Sequence, residues 1–484
     1  MLGKRSNEPE MFQFVTMEDL VPANHLLRRL RSALDLSFVR EMVASQYSSI
    51  GRASVDPDVV VRMLVLQYLY DFSERQVCDE VRMHAGFRWF CGLSFNDKVP
   101  DQSTLVKLRN HKWVGTGLWE RVLDATVRAC EAAGIARPDR MAVDGTQITA
   151  NASIKSLSEV PAPLTLLSCA DPAPESIAAP EPTPPDPPAP LRVEEGDRER
   201  GPRSSGDPDW HGERFSNATH RSTTDPEARL YRKGRGQEAR LRYLGHYLVD
   251  VRSGVIYGAM ATQATGCAER EAACALLDRL SVVPDELVMD LGYRDGGFLA
   301  SVMERGVSPL VGLGHEPLEQ EPQWTRRTFD VERQRKRAEA LAAARARNAA
   351  RIAARTAAGR RAQRQRTRIE HLYGEAKEHH GLDRARGRGL CRMDEQVKLT
   401  AIVQNLKRLA NNRGFRKAMG AIARASVTVP GRHGVLLRAS RTVYPAIQTR
   451  LARFALARGR APHRAPNRIW QSVGGRKSLS SSRF

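Results

Sequence analysis

Apolar residues recur at three- and four-residue spacing from about residue 20 to 135, most clearly through DPDVVVRMLVLQYLYDFSERQVCDEVRMHAGFRWFCGL, the period of helices with one buried face. Asp56 or Asp58 is available to cap the first of these, and Pro100 and Asp101 ahead of Ser103 and Thr104 mark another start. The pattern predicts an all-α N-terminal domain over 1–135. Between 155 and 240 the period is lost. Eleven of the 27 prolines fall in 161–190, including EPTPPDPPAP, which can form neither a helix nor a central strand and reads as a disordered or polyproline linker. The polar segment DWHGERFSNATHRSTTDPEARLYRKGRG follows, either a functional loop or the descent from the linker.

From 241 the period shortens to that of strands. LRYLGHYLVDV and GVIYGAMAT, joined at Arg252-Ser253-Gly254, read as a hairpin. Helix 268–280, strand 285–290, helix 296–306 and strand 308–314 come next. Residues 331–365 are rich in Ala and Arg with few large apolar residues, so they read as an exposed helix or one ordered only on DNA. Two strong helical patterns, RTRIEHLYGEAKEHHG and DEQVKLTAIVQNLKRLANN, end the series.

Composition adds the class of partner. The 484 residues are 41% hydrophobic and 27% charged, an ordinary globular balance with room for two or three domains. The longest near-apolar run, Val59–Tyr70, is broken by Arg62 and Gln67 and is too short to span a bilayer. The N-terminus has no apolar export segment, so the expected location is cytoplasmic, associated with the nucleoid. Seven cysteines without a CxxC pair argue against a disulfide framework or a structural zinc site. The net charge is +21, yet residues 331–370 alone carry thirteen Lys/Arg against three Glu, and residues 413–484 carry sixteen with no acid, leaving the rest slightly acidic. Such local basicity suits a polyanion, because each neutralised phosphate releases counterions. Nucleic acid is the expected partner; for 413–484 the plainer alternative is a solvated tail. Arg62, Arg75, Arg82, Arg88, Lys107 and Arg109 are candidates for a DNA-facing surface of the helical domain, against the plainer reading of solvated faces.

Three acids carry the candidate chemistry. Asp144 lies in MAVDGTQI at the end of a short apolar strand, Asp290 at the end of the strand in ELVMDLGYRDGG, and Glu370 on the helix RTRIEHLYGEAKEHH. Carboxylates at the carboxyl ends of neighbouring parallel strands meet at one sheet edge. Three hard oxygen ligands fit Mg²⁺ or Mn²⁺, two ions being expected for in-line phosphoryl displacement. Arg366, Glu370 and Lys377 share a helix face, one acid flanked by two cations that can clamp phosphate. Taken singly, Asp144 before Gly145 reads as a turn residue and Arg366–Glu370 as a surface ion pair. Glu375 is the alternative third acid. His379 and His380 read as solvated or DNA-facing, Trp324 as packing. Lys233 is a candidate phosphate contact, and Arg384, Arg386 and Arg388 in GLDRARGRG are candidate backbone clamps.

The element order, strand with Asp144, hairpin, helix, strand with Asp290, helix, strand and helix with Glu370, is that of a ribonuclease-H-like domain, giving an α/β catalytic domain in a chain that is α+β as a whole. On FVTMEDLVPANHLLRRL, YSSIGRASVDP, SERQVCDEV, RWFCGL, KVPDQSTLVKLR, VDGTQITANAS, FSNATHRSTTDPEARLYRKG, MDLGYRDGG, RIEHLYGEAKEHHGLDRARGRGL and QNLKRLA, most of residues 10–412 resembles the DDE transposases of bacterial insertion sequences, of the insertion-sequence-four/five-like superfamily. The resemblance implies Asp144, Asp290 and Glu370 as the catalytic, metal-holding acids, with Arg366 and Lys377 as the Arg and Lys of a Y-R-E-K signature whose tyrosine is here Gln363. It implies a helical DNA-binding domain over 1–135 and a catalytic domain over 138–412, interrupted by insertions at 155–240 and 316–364, with a basic tail at 413–484. The implied activity is metal-dependent cleavage at terminal inverted repeats and strand transfer into target DNA by a homodimer, with no small-molecule substrate and no membrane. A decayed DNA-binding protein and a nuclease without joining activity are the alternatives.

Overall fold

A computed structural model describes residues 15–48, 50–51, 53–160, 215–232, 238–312, 316–325 and 328–417. The proline-rich segment 161–190, Lys233 and nearly all of 413–484 lie outside the described residues.

Helices begin where a short polar side chain meets free backbone N–H groups. Thr16 and Asp19 cap α1 (Met17–Leu20) reciprocally, and Ser73 and Gln76 do the same for α5 (Glu74–Met83). Between them lie α2 (Leu26–Ala33), α3 (Val39–Val43) and α4 (Pro57–Leu69). Asp56, not Asp58, caps α4, accepting the Asp58 N–H at 3.0 Å with Pro57 preset in the first turn. α6 (Ala85–Cys91), α7 (Gln102–Lys107) and α8 (Leu118–Ala132) complete the N-terminal region. Buried residues ring α4 on nearly every side, so it is a core helix rather than a one-faced one.

The sheet begins with β1 (Arg140–Thr149). A two-stranded ribbon pairs β2 (Leu157–Glu159) with β3 (His220–Ser222). β4 (Arg229–Tyr231), β5 (Arg240–Asp250), β6 (Ile256–Gln263), β7 (Glu286–Met289) and β8 (Ser308–Val311) follow. The main sheet runs β6-β5-β1-β7-β8, antiparallel at β6–β5 and β5–β1 and parallel at β1–β7 and β7–β8, with β4 on the remaining end of β5. The expected hairpin is β5–β6, its turn made at Gly254 with φ 72°, a left-handed conformation that glycine adopts freely. Residues 215–232 of the polar segment before it are folded: buried Asp225 accepts the Tyr243 hydroxyl at 2.6 Å and the Gly389 N–H at 3.2 Å.

Helices α9 (Ala268–Asp278) and α10 (Gly296–Glu304) connect these strands. The Ala/Arg-rich stretch is α11 (Val331–Arg355), seated on α10 and β8 through Ala344, Ala346 and Ala350. It is therefore packed on the protein rather than free, with Arg345, Arg347 and Arg351 paired to Glu321, Glu319 and Glu316. α12 (Ala357–His380) crosses β1, β7 and β8, and α13 (Leu390–Asn411) is buried along most of its length between α2, α4 and α8 on one side and β5 and β6 on the other. One apolar core thus runs from the N-terminal helices into the sheet. Asn405 fastens it by both donating to and accepting from the Ile256 backbone, each bond 2.8 Å.

This packing corrects part of the expected DNA-facing surface. Arg109 and Arg88 are buried. The first pairs with Glu395 at 2.7 Å and Glu74 at 2.5 Å, and the second donates to the carbonyls of Ser94, Phe95 and Asp97. Arg62 is half-buried over the Phe90 ring. Arg75, Arg82 and Lys107 are exposed, although Arg82 is paired with Asp79 and Asp101.

Candidate catalytic site

β1 does not end at Asp144 but continues to Thr149. What ends is its parallel neighbour: β7 pairs with β1 only at residues 140–142, while β5 stays paired through 149. Asp144 therefore sits where one edge of β1 is released, and Asp290 follows the last residue of β7. This geometry follows from the short apolar run of β7, four residues against ten in β1.

Burial pushes the Asp144 carboxyl up to about 6; the Gly145 N–H, 2.8 Å from Oδ1, and Arg366 oppose the rise, while the charges of Asp290 and Glu269 add to it. Asp290 caps the turn 291–293 by accepting the Gly292 N–H at 2.9 Å. Buried Tyr293, three residues on, has its phenol pushed well above its ordinary range by burial and by Glu269, Asp144 and Asp290. Glu370, half a side chain exposed, reaches the same edge through Arg366, whose guanidinium donates to Glu370 Oε1 at 2.7 Å and Asp144 Oδ2 at 3.3 Å. Among the described residues no three Asp, Glu, His or Cys side chains stand close enough together to hold a metal ion.

α12 is placed by two contacts absent from the sequence reading. Tyr373, one turn beyond Glu370, inserts its hydroxyl into the β1–β5 ladder: it donates to the Asp144 carbonyl at 2.6 Å and accepts the Tyr247 N–H at 2.9 Å. Asp144 and Tyr247 are register partners, so the wedge opens the ladder at the candidate acid. Gln363, in the position of the signature tyrosine, donates to the carbonyls of Met289 at 3.1 Å and Leu310 at 3.0 Å and ties the helix to the ends of β7 and β8.

Neighbouring side chains approach Gly145 closely. A Cβ there would lie 3.0 Å from Glu269 Oε1 and 3.2 Å from His246 Nδ1. His246 is buried, bonded through Nε2 to Thr262 at 2.7 Å, and burial pushes its imidazole down to about 3, so it is neutral. Glu269 and His246 were missed by sequence reasoning, as was the insertion of Tyr373 into the β1–β5 ladder. Only Tyr373 had a local signal, its place on the helix beside Glu370.

Glu375 is separated from this edge. Although burial acts to raise it, bonds from His380, Lys407 and Gln404 hold its carboxyl well below the usual range, on the face turned to α13. His380 is likewise buried, with Nδ1 2.7 Å from the Tyr68 carbonyl, which corrects the reading of a solvated histidine; His379 is exposed. Lys377 is half-buried two turns beyond Glu370. Arg384 and Arg388 are exposed on the loop after α12. Arg386 turns inward, stacking 4.8 Å from the Tyr68 ring and pairing with Asp71. Trp324 is exposed beneath the Arg337 guanidinium rather than packed in a core.

Two family models match this chain: that of the Transposase domain (DUF772) over residues 15–111, and that of the Transposase DDE domain over residues 217–406. The chain belongs to the DDE transposases of insertion sequences. Asp290 and Glu370 of this transposase lie within the second match, and Asp144 lies between the two. It is similar to an uncharacterised protein, ORF8 of the nfe locus of Rhizobium meliloti, with 26% identity over 135 residues. That match spans 27% of the transposase and 64% of the relative. No solved structure matches it. Among its described residues no helix is long and apolar enough to cross a membrane.

Proposed function

We propose that this transposase cuts DNA at the ends of its element and joins the freed 3′-hydroxyls to target DNA, with Asp144, Asp290 and Glu370 as the catalytic carboxylates of a ribonuclease-H-like domain. The observation that carries the reading is the meeting of Asp144 and Asp290 where β7 stops beside β1, with Glu370 linked to Asp144 through Arg366. The sheet order β6-β5-β1-β7-β8, two antiparallel pairings followed by two parallel ones, supports the ribonuclease-H-like assignment.

The residues suit Mg²⁺ or Mn²⁺. All three donors are hard oxygens, and half-buried Asp144 already feels the charge of Asp290 and Glu269, an excess of negative charge that a dication relieves. Asp144, Asp290 and Glu370 would hold the ions, which when bound activate an attacking oxygen and stabilise the leaving one. The protein's own part is to fix and surround these carboxylates. Tyr373 and Gln363 hold α12 against the sheet, and Arg366 and Lys377 present cations to phosphate on the Glu370 side. Exposed Arg384 and Arg388, with Lys233, extend the same service along the DNA backbone. Arg386, committed to Tyr68 and Asp71, shapes the loop that carries them. Residues 1–135 serve as the end-recognition region and 138–412 as the catalytic domain, and synapsis of two ends calls for a homodimer acting at the chromosome. No small-molecule substrate is needed.

The test is a labelled duplex bearing the inverted repeats that flank the gene, incubated with the full chain and Mg²⁺. Cleavage followed by joining is expected. Cleavage without joining would favour a nuclease, and binding without cleavage a decayed DNA-binding protein.

A further inference from the structure

We propose that Arg366 is a place-holding cation that keeps the carboxylate site closed to metal until a DNA phosphate draws it away, so that metal loading is coupled to DNA engagement. The inference rests on the reading of Asp144, Asp290 and Glu370 as the metal-holding acids and adds a control on their assembly.

One guanidinium spans two of the three acids, Nη1 at 3.3 Å from Asp144 and Nη2 at 2.7 Å from Glu370. A planar fork that donates to two carboxylates at once stands between them, so they do not converge as a shared ion would require. This accounts for a site in which acids of the right chemistry are neighbours and yet no three described side chains are close enough to hold a metal. The two ends of the bridge differ. The Arg366 and Asp144 side chains are 18% and 17% exposed, whereas that of Glu370 is 53% exposed. The Glu370 end is in water, where an ion pair is worth little and exchanges readily.

The same fork is the side chain best matched to phosphate. A backbone phosphate brought to the Glu370 side competes with that carboxylate for the guanidinium and has the advantage of polyvalent DNA behind it. Withdrawal needs only a rotation of the Arg366 side chain, because Gln363 and Tyr373 hold the helix backbone in place. It leaves Asp144 beside Asp290 and Glu269 without its cation and frees Glu370 to turn toward them. The exchange makes and breaks no covalent bond; one cation leaves and another takes up its charge. A DNA-free transposase is thereby kept from holding an armed site.

The test is Mn²⁺ binding to the full chain, read by electron paramagnetic resonance of the free ion, with and without the duplex that flanks the gene. Without DNA, Arg366→Gln should bind Mn²⁺ at least about tenfold more tightly than the unaltered protein, the scale on which one adjacent cation shifts a carboxylate's affinity for positive charge. Duplex should tighten Mn²⁺ binding by the unaltered protein and leave Arg366→Gln unchanged. Arg366→Lys, which keeps the charge but cannot span both acids, should fall between, and it serves alone if the Gln variant does not fold. Equal Mn²⁺ affinity in all three proteins, with Mn²⁺ binding still abolished by Asp144→Asn, would overturn the gate and spare the site. Mn²⁺ binding unaffected by Asp144→Asn would overturn the site itself, and the gate with it.

Discussion

Replacing Asp144 by Asn should stabilise the protein while removing its activity. The carboxyl is moved from an ordinary 3.8 to about 6, chiefly by burial. At about 1.4 kcal/mol per pK unit, holding the ionised form in the fold costs about 3 kcal/mol. The sign follows from the direction of the shift. Because the folded-state value lies above the unfolded one, the cost is absent below about pH 3.8, grows through the interval up to pH 6, and is complete above it. Asn keeps the shape without the charge, so at pH 8 Asp144→Asn should be more stable by about 2–3 kcal/mol, and near pH 3.8 the two proteins should be indistinguishable. The part already offset by Arg366 is contained in the net shift. Urea denaturation midpoints measured for both proteins across this range, without divalent ions, give the comparison. An Asn variant less stable at pH 8, or a gain independent of pH, would refute the reasoning that burial and like charge dominate this site.

Tyr373→Phe should cost about 1–3 kcal/mol, because the Asp144 carbonyl and Tyr247 N–H lose their shared partner; amide exchange at Tyr247 should speed up, and unchanged protection there would count against the wedge. Arg109→Ala should destabilise the fold by up to about 3–5 kcal/mol, because buried Glu395 and its neighbour Glu74 are left with Arg392 as their one cation, and a loss under 1 kcal/mol in denaturation would show the pair to be dispensable. Glu375→Gln should destabilise at neutral pH. Its carboxyl is held below the ordinary 4.5, so the difference from the unaltered protein should persist down to that pH and shrink on further acidification; thermal melts showing the reverse trend would contradict the assignment of Glu375 to the α13 interface.

Much of this architecture was legible along the chain because it depends on local periodicity and caps. The helical spacing through Val59–Tyr70, the strand runs at 241–262 and the glycine turn at Gly254 each specify their own element. What was illegible depends on partners far away in sequence. Nothing around Arg109 announces Glu395, 286 residues later, and nothing around His380 announces the Tyr68 carbonyl, so both read as surface residues. The place of Asp144 was half right. An apolar run ending in Asp-Gly suggested a strand end, whereas the real event is the end of β7 alongside it, which only pairing reveals. Likewise Gln363 departs from the signature yet bonds to two strand ends through carbonyls that no spacing rule could supply.

The central claim, that Asp144, Asp290 and Glu370 form one catalytic site and Glu375 does not belong to it, is tested most directly by Mg²⁺-dependent cleavage and joining of the flanking inverted-repeat duplex with Glu370→Ala compared against Glu375→Ala. Both variants should bind DNA, with cleavage abolished in Glu370→Ala and retained in Glu375→Ala at temperatures where the fold is intact. Cleavage surviving Glu370→Ala, or lost only in a folded Glu375→Ala, would contradict the claim.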